Sequence, residues 1–99
     1  MNATVTVDRY VLDTLLPDLV GHDRSPSAFL VYLVVYGQTG GGRRKTAALS
    51  HQGLAEATGL SKSAVQAAVR LLTRRKLLTS RRASKTAVPE HAVLRPWRR

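Results

Sequence analysis

Between Leu49 and Leu78 apolar and polar positions recur twice at helical spacing, with a break at Thr58-Gly59-Leu60. Advancing about 100° per residue from Ser61 puts Val65, Ala68, Val69 and Leu72 on one face. Lys62, Ser63, Gln66, Arg70 and Thr73 fall on the other. The pattern predicts two helices, over 51–57 and 62–76, meeting at a tight corner. Ser50 caps the first, and Gly59 ends it by supplying left-handed backbone. The second closes on Thr73-Arg74-Arg75-Lys76, where cations meet the negative end of the helix dipole for about 0.3–1 kcal/mol each.

Upstream, Ser25-Pro26 is a helix start, an N-cap serine followed by proline at the first helical position. The predicted helix runs over 27–36 and is apolar nearly all round, from Ala28 to Val35. Such a helix buries several sides, in the domain core or partly in a dimer interface. Before it, Thr4 to Val7 is a β-prone lead-in. Asp8 is placed to cap a brief helix over Arg9 to Leu16, with Tyr10, Val11 and Leu15 on its apolar side. Pro17 is expected to disturb that helix, leaving residues 18–24, with Gly21, as a connection.

Gly37 and the triplet Gly40 to Gly42 break the chain, and residues 43–49 suit a short strand with a basic approach. The order of a phosphate-binding P-loop is absent: no Lys-Ser/Thr opens a helix directly after the glycines. Leu77 to Arg82 reads as a strand, Ala83 to Glu90 as a loop and His91 to Arg95 as the returning strand. Pro89 and Pro96 bracket that return, where strand ends tolerate proline.

Composition narrows the picture. Ninety-nine residues make one domain with one modest core. The net charge of +10 is uneven: residues 1–50 hold five Lys/Arg against four Asp, residues 51–99 eleven against two Glu. A basic half beside a nearly neutral one points to a polyanionic partner on one side of the molecule. With no cysteine, disulfides, zinc-finger ligation and thiol catalysis are excluded. No apolar run approaches the roughly 20 residues of a membrane span, and the N-terminus lacks the pattern of a secretory signal. A cytoplasmic protein with no membrane partner is expected. An interfacial helix would set bulky apolar groups opposite its charges, whereas this one sets alanine and valine there. His22, His51 and His91 have no metal-ligand spacing, and no serine has a base in sequence context. No metal, cofactor or catalytic residue is expected, and the chain does not read as an enzyme.

Leu54-Ala55-Glu56-Ala57-Thr58-Gly59-Leu60-Ser61, followed by Val65 and Val69, resembles the helix-turn-helix of bacterial winged-helix DNA-binding proteins. Small Ala55 lets the helices approach, Gly59 sits in the turn, Leu60 plugs the corner, and Val65 and Ala68 anchor the second helix. The hairpin, with its basic loop RRASKTAVPE, looks like the wing of that fold. The resemblance covers about residues 25–97 and extends to the winged domains of plasmid replication initiators. It implies a mainly α fold with a small antiparallel β-sheet, a winged helix-turn-helix over 25–99 with a wing at 77–95. Residues 1–24 remain as a candidate dimerisation element.

On this reading the helix from Lys62 enters the major groove of double-stranded DNA. Gln66 can pair with adenine, Lys62 or Arg70 with guanine or phosphate, and Ser63 lies among them as a base contact. Ser61, Arg43, Arg44, Arg81, Arg82 and Lys85 are candidate contacts to the sugar-phosphate backbone. The expected role is a transcription regulator acting as a homodimer, with no small-molecule effector evident; plasmid replication or maintenance is the alternative. Some winged domains instead bind proteins, but the polar stripe of Lys62, Gln66 and Arg70 beside a basic wing has no purpose there. RNA fits less well, because an A-form major groove excludes a helix.

Overall fold

The computed structural model describes residues 3–41, 44 and 46–98. It is mainly helical, with one small three-stranded antiparallel sheet. Two π-helical turns, Val11–Leu15 and Asp18–His22, precede helix α1 (Pro26–Gln38). Strand β1 (Ala47–Ala48), helices α2 (His51–Thr58) and α3 (Lys62–Arg74), and strands β2 (Leu78–Arg81) and β3 (Glu90–Val93) follow.

The N-terminal segment departs from the sequence expectation. Helical backbone continues from residue 9 to residue 22, through Pro17, instead of ending there in a connection. Proline removes one N–H and crowds the carbonyl four residues before it. Here the turns widen: the Leu16 N–H reaches Val11 O, and the Asp23 N–H reaches Asp18 O at 2.9 Å. Five-residue spacing accommodates the ring without breaking the helix. The segment ends at Arg24, whose φ is +54°. Its apolar side is Val11, Leu15 and Leu19, all buried in the same core as α1. Leu12, Leu16 and Val20 stay exposed on its outer side.

Asp8 does not cap this helix with its side chain. Its carboxylate instead accepts the Trp97 indole N–H at 3.1 Å and faces Arg98 at 3.4 Å. Tyr10 stacks on Trp97 with ring centroids 4.6 Å apart. The two ends of the chain are thereby joined by contacts that no local pattern announces.

Helix α1 starts as its residues dictate: Ser25 accepts the Ala28 N–H at 3.2 Å, and Pro26 occupies the first turn. Six of its residues, from Ala28 to Tyr36, are buried. It packs against α2, α3, β3 and the second π-helical turn, which makes it the centre of the core. Its apolar character is therefore absorbed within the domain, with Leu30 left outside. Tyr32 donates its hydroxyl to Leu94 O at 3.0 Å, so even its polar end is satisfied. Burial, with Tyr36 beside it, raises the pKa of that hydroxyl and keeps it neutral.

In the sheet β3 lies between β1 and β2. Leu78 pairs with Val93 and Arg81 with Glu90, while Ala47 faces His91 and Ala48 faces Glu90. Residues 4–7, β-prone in sequence, form no strand; Thr6 lies close to Gly41, just past the exit of α1. Among the described residues no helix is long and apolar enough to cross a membrane.

Candidate functional site

The corner between α2 and α3 is built from short-range bonds. Ser50 accepts the Gly53 N–H at 2.9 Å and starts α2. Gly59, at φ +79°, returns its N–H to Ala55 O at 2.8 Å and turns the chain. Thr58 tightens the turn: its hydroxyl donates to Leu54 O at 2.6 Å and accepts the Leu60 N–H at 3.2 Å. Ser61 starts α3 by accepting the Ala64 N–H at 3.1 Å. Ala55 and Leu60 are half-buried against the core.

Helix α3 divides cleanly. Val65, Ala68 and Leu72 are buried, while Lys62, Ser63, Gln66 and Arg70 are all exposed. The helix stops at Arg74, two residues before the sequence expectation. Lys76 then takes φ +58°, the Leu77 N–H reaches Leu72 O at 2.9 Å and the Lys76 N–H reaches Thr73 O at 3.1 Å. This is a Schellman ending with lysine where glycine is usual. Arg75 does more than face the helix dipole. It forms ion pairs with Asp18 and Asp23, tying the exit of α3 to the N-terminal segment.

Between α3 and the β2–β3 hairpin runs a groove of about 290 Å³. Lys62 and Gln66 line it from α3, Arg82, Thr86 and Val88 from the hairpin, and His51 from the start of α2. Burial, then the charges of Arg82 and Lys62, hold His51 below its ordinary pKa. The groove is therefore a positive field with a neutral imidazole in it.

Three of the sequence-selected residues thus meet there: Lys62, Gln66 and Arg82. Ser63 and Arg70 share the exposed face of α3 without lining the groove. Ser61 does not line it either; its hydroxyl is engaged in the cap and lies 3.2 Å from that of Ser63. Arg81 stands opposite Glu90 in the strand register. Lys85 is exposed at the hairpin tip, where its carbonyl accepts from Arg82 at 3.2 Å. Arg44 lies apart from all of these, in a different cleft with Arg95 and Arg98. Arg43 is outside the described residues.

Sequence reasoning missed the hairpin's Thr86 and Val88 as groove walls, since nothing in a loop's composition says which way it folds back. It also missed what His91 does. His91 is fully buried, with Nδ1 2.7 Å from the Ser80 hydroxyl and Nε2 2.9 Å from Leu49 O. A carbonyl only accepts, so Nε2 carries the proton and Nδ1 accepts from Ser80. Burial lowers its pKa, which keeps this neutral tautomer in place. His91 is thus a buried brace between β3, β2 and the start of α2.

Compared with family models, with curated proteins and with solved structures, this chain has no match.

Proposed function

We propose that this chain binds double-stranded DNA in a sequence-specific manner, as a winged helix-turn-helix. In this reading α3 enters the major groove, and the basic hairpin lies along the backbone or reaches the adjacent minor groove. One observation carries it: α3 buries Val65, Ala68 and Leu72 on one face, with Val69 half-buried beside them, and presents Lys62, Ser63, Gln66 and Arg70 on the other, beside a hairpin that shares its groove. Amide and guanidinium groups on one helix face match the donor and acceptor pattern of base edges. The excess of cations in residues 51–99 supplies affinity by counterion release. Transcription regulation is the role that suits such a domain.

A single α3 reads only a few base pairs, so the proposal includes a second copy of the chain on a pseudo-palindromic site. The exposed residues Leu12, Leu16 and Val20 are the surface assigned to that contact. Sedimentation at micromolar concentration, with and without DNA, should show a dimer; a monomer in both conditions removes this part.

Selection of bound sequences from a random duplex library is the direct experiment. Recovery of a defined motif is expected, and its loss in Arg70→Ala or Gln66→Ala at about 1–3 kcal/mol on the preferred site. Arg82→Ala or Lys85→Ala should weaken preferred and random duplex alike and lower the salt slope by about one unit each. No enrichment of any duplex above background would end the proposal.

A further inference from the structure

A second cleft, of about 600 Å³, lies where the two ends of the chain meet, and it shares no lining residue with the groove beside α3. The sheet register explains its composition. Arg44 comes just before β1 and Arg95 just after β3, and these strands pair antiparallel, so the two arginines arrive at the same end. That is the end away from the hairpin tip, because Ala48 and Glu90 pair on the hairpin side. Arg98 follows from the C-terminal turn. Residues 4–8 form the opposite wall, seated so closely that a Cβ on Gly41 would stand 3.0 Å from Thr6 O.

Charge in this cleft is unbalanced. Its carboxylate, Asp8, is already engaged by the Trp97 indole and by Arg98. Among the described residues neither Arg44 nor Arg95 has an ion-pair partner. The Tyr36 hydroxyl accepts the Asp8 backbone N–H at 3.2 Å, which leaves its own proton to donate into the cleft. Two arginines without an ion-pair partner among the described residues and a tyrosine, all lining one concave space, suit a tetrahedral dianion bound through paired hydrogen bonds. The volume exceeds what one phosphate fills and falls in the range of about 300–1,000 Å³ usual for small-molecule sites.

We propose that this cleft binds the phosphoryl group of a small phosphorylated molecule, held by Arg44 and Arg95 with Tyr36 as a further donor. The site stands independently of the DNA reading, since it lies at the opposite end of the sheet. A ligand there would bridge the α1–β1 connection, the C-terminal turn and residues 4–8, of which Asp8 already joins the last two.

The test uses the full chain with inorganic phosphate and pyrophosphate as probes, at constant ionic strength. A saturating rise in Tm, with broadening of the probe's phosphorus NMR signal, is expected. Arg44→Gln and Arg95→Gln should each weaken probe affinity about ten-fold, whereas Arg82→Gln and Lys85→Gln on the hairpin should leave it unchanged. Arg44 is exposed and, among the described residues, its side chain forms no ion pair, so its variant reports on binding even if the Arg95 variant is less stable. A Tm rise that never saturates, or equal weakening by the hairpin variants, would mean general attraction to a cationic protein and overturn the site. Loss of duplex affinity in Arg44→Gln and Arg95→Gln without any pyrophosphate binding would make the cleft a nucleic-acid contact instead, which also overturns it. If the chain binds pyrophosphate as described but no duplex, the cleft stands and the DNA reading falls.

Discussion

Helices α1 and α3 are both thirteen residues long and both begin with a serine cap, yet they are built for opposite purposes. α1 has no charged residue, buries six side chains and packs against α2, α3, β3 and the second π-helical turn. α3 carries Lys62, Arg70 and Arg74, buries three side chains and leaves its outer face uncovered. The difference teaches that length and capping specify a helix, while the width of its apolar stripe specifies its place. A helix apolar all round becomes the post on which the domain packs. One with a narrow stripe becomes a surface that the post holds at a defined angle.

The contrast is broken most severely from the α1 side. Tyr32 is fully buried and hydrogen-bonded to Leu94 O, so Tyr32→Ala loses a packed ring and leaves that carbonyl without its partner. A loss of about 3–5 kcal/mol is expected in urea unfolding, a large part of the roughly 5–15 kcal/mol of a small domain. Gln66→Ala, on the exposed face of α3, should stay within about 0.5 kcal/mol of the parent in the same measurement. Similar losses for both would erase the distinction between post and display.

Next in size is the corner that sets the angle of α3. A Cβ on Gly59 meets nothing within 4 Å, so Gly59→Val tests backbone alone. Left-handed backbone costs an L-residue about 1–2 kcal/mol, and a β-branched one at least that much. A Tm lower by several degrees is expected. An unchanged melting curve would show that the corner is held by packing, not by φ.

Arg75 sharpens the comparison at the other end of α3. Its ion pairs with Asp18 and Asp23 are the clamp between the N-terminal segment and the display helix. The guanidinium is about one-third exposed, so solvent screening limits the effect of Arg75→Ala to about 0.5–1.5 kcal/mol. The loss should shrink in high salt. A salt-independent loss would mean that the aliphatic stem matters more than the charge.

A smaller effect comes from pH. His91 has a lower pKa folded than unfolded, because burial disfavours its charged form. Between those two values the unfolded chain therefore binds more protons, so stability is fully present above about pH 6.5 and declines as pH falls below it. His51 contributes with the same sign. His91→Gln, which keeps a donor for Leu49 O, should flatten the decline between about pH 7 and 5. An unaltered pH profile would assign the effect to His51 in the groove.

Much of this is legible in the sequence. Ser25, Ser50 and Ser61 cap the helices expected of them, Gly59 turns the corner, and Val65, Ala68 and Leu72 face inward. The outward stripe of α3 was legible for the same reason. Other features were not. Pro17 was expected to end a helix that instead widened through it, since the apolar spacing of Val11, Leu15 and Leu19 against α1 outweighed one lost bond. Lys76 gave no sign of its left-handed backbone, because lysine is not a turn residue.

Composition shows the basic half of the chain, and local pattern in the sequence encodes the helix caps, the corner and the amphipathic stripe. Those are decided by φ/ψ preferences and by hydrogen bonds spanning three to five residues, which a local pattern encodes. Packing of distant segments set the rest: Asp8 meets Trp97, 89 positions away, Arg75 meets Asp18 across 57, and His91 braces Leu49 across 42. It alone also brought Arg44 beside Arg95, and Lys62 beside Arg82. A charged or aromatic side chain accepts many partners equally well in sequence. Which one it receives is settled by how buried apolar faces fit together, and the polar contacts follow from that packing.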